Sequence, residues 1–204
     1  MIAVVEKLDE LEPSSEDARR RLTDLAERLA RKDGDTTHHT TAVATLAVAI
    51  AAELGIGGTA LRHVELGALL HDVGKLAVPD RILKKPSRLT QIEWTAMQRH
   101  AASGERLLTR ILELPDVLAV VRSHHERFDG AGYPDGLCGE QIPLAARIVA
   151  VADAFQAMVE PRTYRPPRTP AESFAELIRT AGTQFDPACV DALRRVLERD
   201  EARS

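Results

Sequence analysis

The chain has 204 residues, of which 44% are apolar, 28% charged and only 3% aromatic. This excludes a disordered or fibrous polymer and leaves room for one domain with a real core. A net charge of -4 and a pI near 6.0 argue against a protein that lives on nucleic-acid phosphates, but not against a small anionic ligand held by a few cations.

Abundant Ala and Leu with few aromatics favour helices over strands. The first residues include Glu6, Lys7, Asp9 and Glu10, which do not form the basic start of a signal peptide. Glu12 to Glu16 reads as a helix start, with a Ser cap and acids in the first turn. Leu22, Leu25 and Leu29 carry that helix to about Arg31, and Lys32 to Asp35 breaks it. A second helix is expected from about Thr40 to Leu54, ended by Gly55, and a third from about Thr59 to Asp72. A loop with Pro79 and Pro86 follows. Thr90-Gln91-Ile92-Glu93 is a capping box, opening a helix that runs through His100. Further helices are expected near 104–112, 115–125, 143–158, 171–180 and 187–200. Between two of them, Asp129 to Pro143 forms a Gly- and Pro-rich loop, long for a compact helical domain, and such loops often carry function.

The expectation is an all-α fold, with an N-terminal helical extension over 1–33 and one domain over 34–204. The most apolar stretch, Ala42 to Ala52, is too short to span a bilayer. Two cysteines, Cys138 and Cys189, without a CxxC, do not support a disulfide framework or a thiolate zinc site. The reading is a cytoplasmic protein that takes neither a membrane nor a nucleic-acid polymer as partner.

The seven histidines are His38, His39, His63, His71, His100, His124 and His125. A lone histidine is ordinarily a surface or satisfied core residue, and His63 takes that reading. The others sit at special places. His71-Asp72 falls at a helix end, and His124-His125 falls just before the Gly-rich loop. His100 ends the capped helix and His39 starts another. Asp153 stands alone inside the apolar run Ile148 to Phe155, where a buried carboxylate is costly unless paired or metal-bound.

Imidazole and carboxylate suit iron, manganese, nickel or zinc. Adjacent helical residues point about 100° apart, so His71 and Asp72 cannot reach one ion along parallel arms. At a fraying helix end, Asp72 can instead bridge two ions while His71 binds one. The supply of His39, His71, Asp72, His100, His124, His125 and Asp153 exceeds the needs of one ion. It suits a two-metal site, which activates water and stabilises a phosphoryl transition state. Lys75, Arg162 and Arg165 are candidates for phosphate oxygens, with solvated surface charge as the ordinary alternative.

On these residues the chain resembles the HD-GYP family. His71-Asp72-Val73-Gly74-Lys75 is similar to its HD signature, and His124-His125-Glu126-Arg127-Phe128-Asp129-Gly130-Ala131-Gly132-Tyr133-Pro134 to its GYP signature. His100 with Gly104, Asp153-Ala154-Phe155, Tyr164-Arg165 and Gln184-Phe185-Asp186-Pro187 extend the resemblance over about 35–195. It implies an HD-domain helical bundle with a long GYP loop and a centre of two or three divalent ions, iron or manganese before nickel or zinc. The implied activity is hydrolysis of cyclic di-GMP to pGpG or GMP.

By position, the resemblance implies His39, His71, Asp72, His100, His124, His125 and Asp153 as ligands, with Asp72 bridging and Asp35 near a third ion. His38 is the rival to His39. Asp72 and Lys75 are the implied catalytic pair. Lys75, Arg162 and Arg165 are the implied phosphate contacts, and Tyr133 borders the ligand. Thr40, Thr41, Ala42, Ser87 and Thr163 depart from the family's usual residues without removing a ligand. The alternatives are an HD phosphohydrolase of another nucleotide and a catalytically weak cyclic di-GMP-binding module. The first 33 residues have three readings: packing on the core, joining a homodimer interface, or forming the remainder of a linker to a sensory domain, with a regulatory protein partner as a candidate input.

Overall fold

The computed structural model describes residues 16–33, 36–161 and 167–202. Helices and short 3-10 turns make up their regular structure, and strand-like pairing is limited to two isolated bridges, Asp129 with Cys138 and Ala181 with Phe185. In chain order the elements are α1 (Glu16–Asp33), α2 (Thr36–Glu53), α3 (Gly58–Leu70), a 3-10 turn at Val73–Ala77, α4 (Asp80–Leu83), α5 (Gln91–Gln98), α6 (His100–Leu108), α7 (Pro115–Ser123), a second 3-10 turn at Gly139–Gln141, α8 (Leu144–Val159), α9 (Pro170–Thr180) and α10 (Pro187–Glu201). The expected all-α class is what is observed.

Packing follows from side-chain pattern. α2 is apolar nearly all round, and a helix of that kind belongs in the interior. Val43, Ala44, Ala47, Ile50 and Ala51 are fully buried, with α3, α8 and α10 packed around them. α7 lies between α3 and α6. Its Val120 comes so close to Gly67 of α3 that a Cβ there would stand 2.8 Å from the valine side chain. Leu22 and Leu25 of α1 join the same core cluster. Each such leucine contributes about 1.5–3 kcal/mol by leaving water. Among the described residues, no helix is long and apolar enough to cross a membrane.

Several element boundaries differ from expectation, and the differences matter for the site. α1 continues through Asp33 instead of breaking at Lys32. α2 begins at Thr36, which places His39 inside its first turn. α3 stops at Leu70, and Asp72, at φ -95 and ψ 3, turns the chain into the 3-10 segment. The capping box is present as read, with Thr90 and Glu93 bonding reciprocally. The helix it opens does not run through His100, however. It ends at Gln98, and His100 opens α6. The Met97 carbonyl, which a continuous helix would offer to Ala101, instead accepts from the Arg99 amide and lies 2.7 Å from His100 Nδ1.

Candidate metal centre

The helix ends converge on one polar cluster. His39 comes from the first turn of α2, His71 and Asp72 from just past α3, and His100 from the start of α6. His124 caps the C-terminus of α7, His125 follows it, and Asp153 lies within α8. Two glycines let these pieces meet. A Cβ on Gly74 would overlap the His100 carbonyl oxygen and stand 2.5 Å from the Gly104 amide nitrogen. Only a residue without a side chain lets the 3-10 segment lie directly on α6, which brings Asp72 up to His100.

The ring orientations share one device. His71 Nδ1 lies 2.6 Å from the Ala68 carbonyl, His100 Nδ1 2.7 Å from that of Met97, and His124 Nδ1 2.9 Å from that of Val121. Each carbonyl belongs to the residue three positions earlier. A carbonyl only accepts, so each Nδ1 carries a proton and donates it, leaving Nε2 for the cluster. His71 Nε2 is buried without a hydrogen-bond partner.

The donor atoms form two adjoining groups. Asp72, His100, His124 and His125 offer one atom each within 4.8 Å of one another, and so do His39, His71 and Asp153. Asp72 stands between the groups, with Oδ2 3.3 Å from His71 Nε2 and Oδ1 3.5 Å from His100 Nε2. Beyond the helix end, Asp72 can therefore reach toward both groups while His71 reaches only one. His39 Nε2 is 3.0 Å from Asp153 Oδ1, whereas the His38 side chain is 92% exposed and remains outside. Asp153 keeps 23% of its side chain exposed, so it borders an opening instead of sitting on a sealed helix face as its sequence context suggested.

Electrostatics separate the groups. Burial lowers His100 and His124, and lowers His125 to about 4, so these rings are neutral near pH 7. In the other group, burial pulls His71 down, but the Asp72 charge beside it prevails and raises it to about 9. Burial likewise pulls His39 down, and the hydrogen bond and charge of Asp153 raise it overall. Burial would raise Asp72, but Lys75 and His71 hold it well below the usual carboxylate range. Lys75 Nζ lies 2.8 Å from Asp72 and 3.1 Å from Asp33 of α1, so it is engaged by two carboxylates.

The chemistry of these donors fits a divalent metal centre. Carboxylate and imidazole donors converge without thiolate, and the buried His71 Nε2 has no hydrogen-bond partner. The cluster is therefore able to bind metal.

The Gly-rich loop closes one side. Tyr133 places its ring 4.9 Å from that of His125 and 6.3 Å from that of Trp94. The loop is held by Glu126, a buried carboxylate that accepts from the amides of Asp135, Gly136 and Leu137 at 2.7, 3.1 and 3.1 Å. The base of the loop is pinned where the Phe128 and Asp129 amides donate to the carbonyls of Gln184 and Thr183. Sequence reasoning assigned no role to Glu126, Asp33 or Glu160. Glu126 directly follows the histidine pair, and that position was its only available signal. The roles read for Asp35, Arg162 and Arg165 fall on residues outside those described.

Comparison with known proteins agrees with this architecture. Residues 7–189 match the family described as HD domain. The chain is 43% identical over 181 residues to "Cyclic di-GMP phosphodiesterase response regulator RpfG" of Xanthomonas campestris pv. campestris, covering 87% of this chain and 47% of that protein. It is 35% identical over 173 residues to "3'3'-cGAMP-specific phosphodiesterase 2" of Vibrio cholerae, covering 83% of this chain and 33% of that protein. The chain thus spans less than half the length of these relatives. Among solved structures it resembles "Bd1817, a HDG"Y"P protein from Bdellovibrio bacteriovorus", with a TM-score of 0.64 at 22% identity over 80% of this chain and 52% of that one; at that identity the likeness concerns the fold. With its match over 7–189 and its intact His71-Asp72 and Gly132-Tyr133-Pro134 segments, the chain belongs to the HD domain family and is of the HD-GYP type.

Proposed function

We propose that this chain is the catalytic unit of a metal-dependent phosphodiesterase that hydrolyses cyclic di-GMP to pGpG, GMP or both. The observation that carries this reading is the pair of adjoining donor groups with Asp72 between them. Such an arrangement suits two ions a few ångströms apart. His39, His71 and Asp153 would hold one ion and His100, His124 and His125 the other, with Asp72 within reach of both. Iron or manganese fits the nitrogen and oxygen set best, with nickel or zinc as substitutes. Asp35 is the candidate ligand for a third ion. Ions bound there supply Lewis acidity toward a phosphoryl oxygen and acidify water.

The chain's own residues do the rest. Lys75 offsets charge on a non-bridging phosphate oxygen, and Asp72 and Asp33 hold its amine beside the cluster. Arg162 and Arg165 clamp the remaining phosphate oxygens. Tyr133, beside His125, borders the nucleotide. The α1 segment within 1–33 rests on the domain over 34–204 and offers a route for a regulatory partner or a second copy. We read the protein as cytoplasmic, where a cyclic dinucleotide messenger is found.

The cyclic di-GMP assignment draws on the name of the Xanthomonas relative, and the Vibrio relative's name supports 3'3'-cGAMP as the second candidate. A cleavage assay with purified protein and added manganese or iron, run on both dinucleotides, decides between them. Cleavage of cyclic di-GMP by the parent and none by His71→Ala is expected. Equal rates for the two proteins would overturn the site assignment. A metal-loaded parent that binds cyclic di-GMP without cleaving it would replace this reading with a binding module.

A further inference from the structure

His39 differs from its neighbours in what holds its second nitrogen. The rings of His71, His100 and His124 are each steered by a carbonyl of their own helix end. His39 Nδ1 instead lies 2.7 Å from Oε2 of Glu160, a residue 121 positions away at the C-terminal cap of α8. The opposite ring nitrogen, Nε2, meets Asp153 at 3.0 Å, so the ring lies between two carboxylates carried by the same helix. The other Glu160 oxygen, Oε1, is buried and accepts no hydrogen bond, with the exposed His38 3.8 Å away. A carboxylate oxygen left buried and unpartnered is costly, and packing gives no reason for it here.

We propose that Glu160 is the positioning carboxylate of the His39 metal site: it accepts the Nδ1 proton of His39 and so aims Nε2 at the ion shared with His71 and Asp153. An ionised carboxylate can only accept, so a contact of this length requires the proton to reside on Nδ1. The Nε2 contact with Asp153 places a proton on that nitrogen as well, and an ion that displaces it would meet the Nε2 lone pair while Glu160 keeps the Nδ1 proton in place. The bond also makes the imidazole more electron-rich, and partners of this kind typically tune metal affinity by about 10–100-fold. His39 enters from the first turn of α2, and both of its ring nitrogens meet carboxylates at α8 and its C-terminal cap, so its aim depends on α8. The inference concerns metal binding. It rests on the proposed metal centre, but not on cyclic di-GMP as substrate.

The test is metal binding to the full chain, stripped with chelator and titrated with manganese against a competing chromophoric chelator. Glu160→Ala is expected to weaken the His39-dependent ion by about 10–100-fold and leave the other ion unchanged. Glu160→Gln, whose amide oxygen still accepts from Nδ1, is expected to retain most of the affinity. In a His39→Ala background, Glu160→Ala is expected to have no further effect on the remaining ion, because it acts through His39. Parent-like binding by Glu160→Ala overturns the proposal. So does an equal loss in Glu160→Gln, a further loss in the His39→Ala background, or a parent that binds no ion. A parent that binds two ions but does not cleave cyclic di-GMP defeats the proposed function alone.

Discussion

His100 and His124 face each other through their Nε2 atoms at 3.4 Å, and both rings have already committed Nδ1 to a backbone carbonyl. Neither neutral ring then has a proton to offer the other, so two lone pairs meet in a buried space. A cation between them and Asp72 relieves that opposition. Chelation is therefore expected to destabilise the fold as well as abolish activity. An ion at about a hundred times its dissociation constant adds about 2.7 kcal/mol. At roughly 2–4 °C per kcal/mol for a chain of this size, the melting temperature should fall by about 5–10 °C on stripping and recover on adding manganese. Calorimetry of stripped and reloaded protein checks this. In His124→Ala most of the metal response should disappear.

Glu126 is 4% exposed and receives three amides from the loop that carries Tyr133. Glu126→Ala would leave three amide groups short of a partner in a tight loop. A loss of about 3 kcal/mol is expected. Because the loop itself is released, protease cleavage within 129–143 should appear well below the global melt. A variant that melts early without local cleavage would show that Glu126 serves the core and not the loop.

Gly74→Ala should be among the most damaging single-methyl changes in the chain. The added Cβ would overlap the His100 carbonyl, which belongs to backbone and cannot swing aside as a side chain can. Overpacking of this kind typically costs about 1–3 kcal/mol. Here it also separates the 3-10 turn from α6, so metal affinity should fall together with stability. Gly139→Ala is a useful contrast, because space around that position is open and only its φ of +56 is strained. It should leave metal binding intact.

Lys75 sits beside Asp72 but belongs to neither donor group. In Lys75→Met, metal content measured by mass spectrometry should stay at the parent value, while kcat/KM drops by about 10²–10³-fold, the usual loss for one preorganised charge at a developing anion. Loss of metal in this variant would instead assign Lys75 to holding Asp72 in place.

Much of this was readable in advance because it depends on local chemistry. Leu22, Leu25 and Leu29 at helical spacing fall on the buried face of α1, and the Thr90–Glu93 capping box forms where it was read. Both depend on residues within a turn or two of each other. The misjudged helix around His100 marks the limit of that approach. Propensity alone would continue the helix past Arg99, but the Met97 carbonyl engages Arg99 and the His100 ring, and a new helix begins.

The sequence by itself determined the helical class and carried the seven imidazole and carboxylate side chains that meet in the cluster, because residue chemistry and helical period are local properties. Only the tertiary structure divided those donors into a group of four and a group of three, chose His39 over His38, and brought Glu160 to a ring 121 residues away. These features depend on where separate helix ends meet. Close glycine contacts and the burial of α2 set those meeting points, and neither can be read from any one segment.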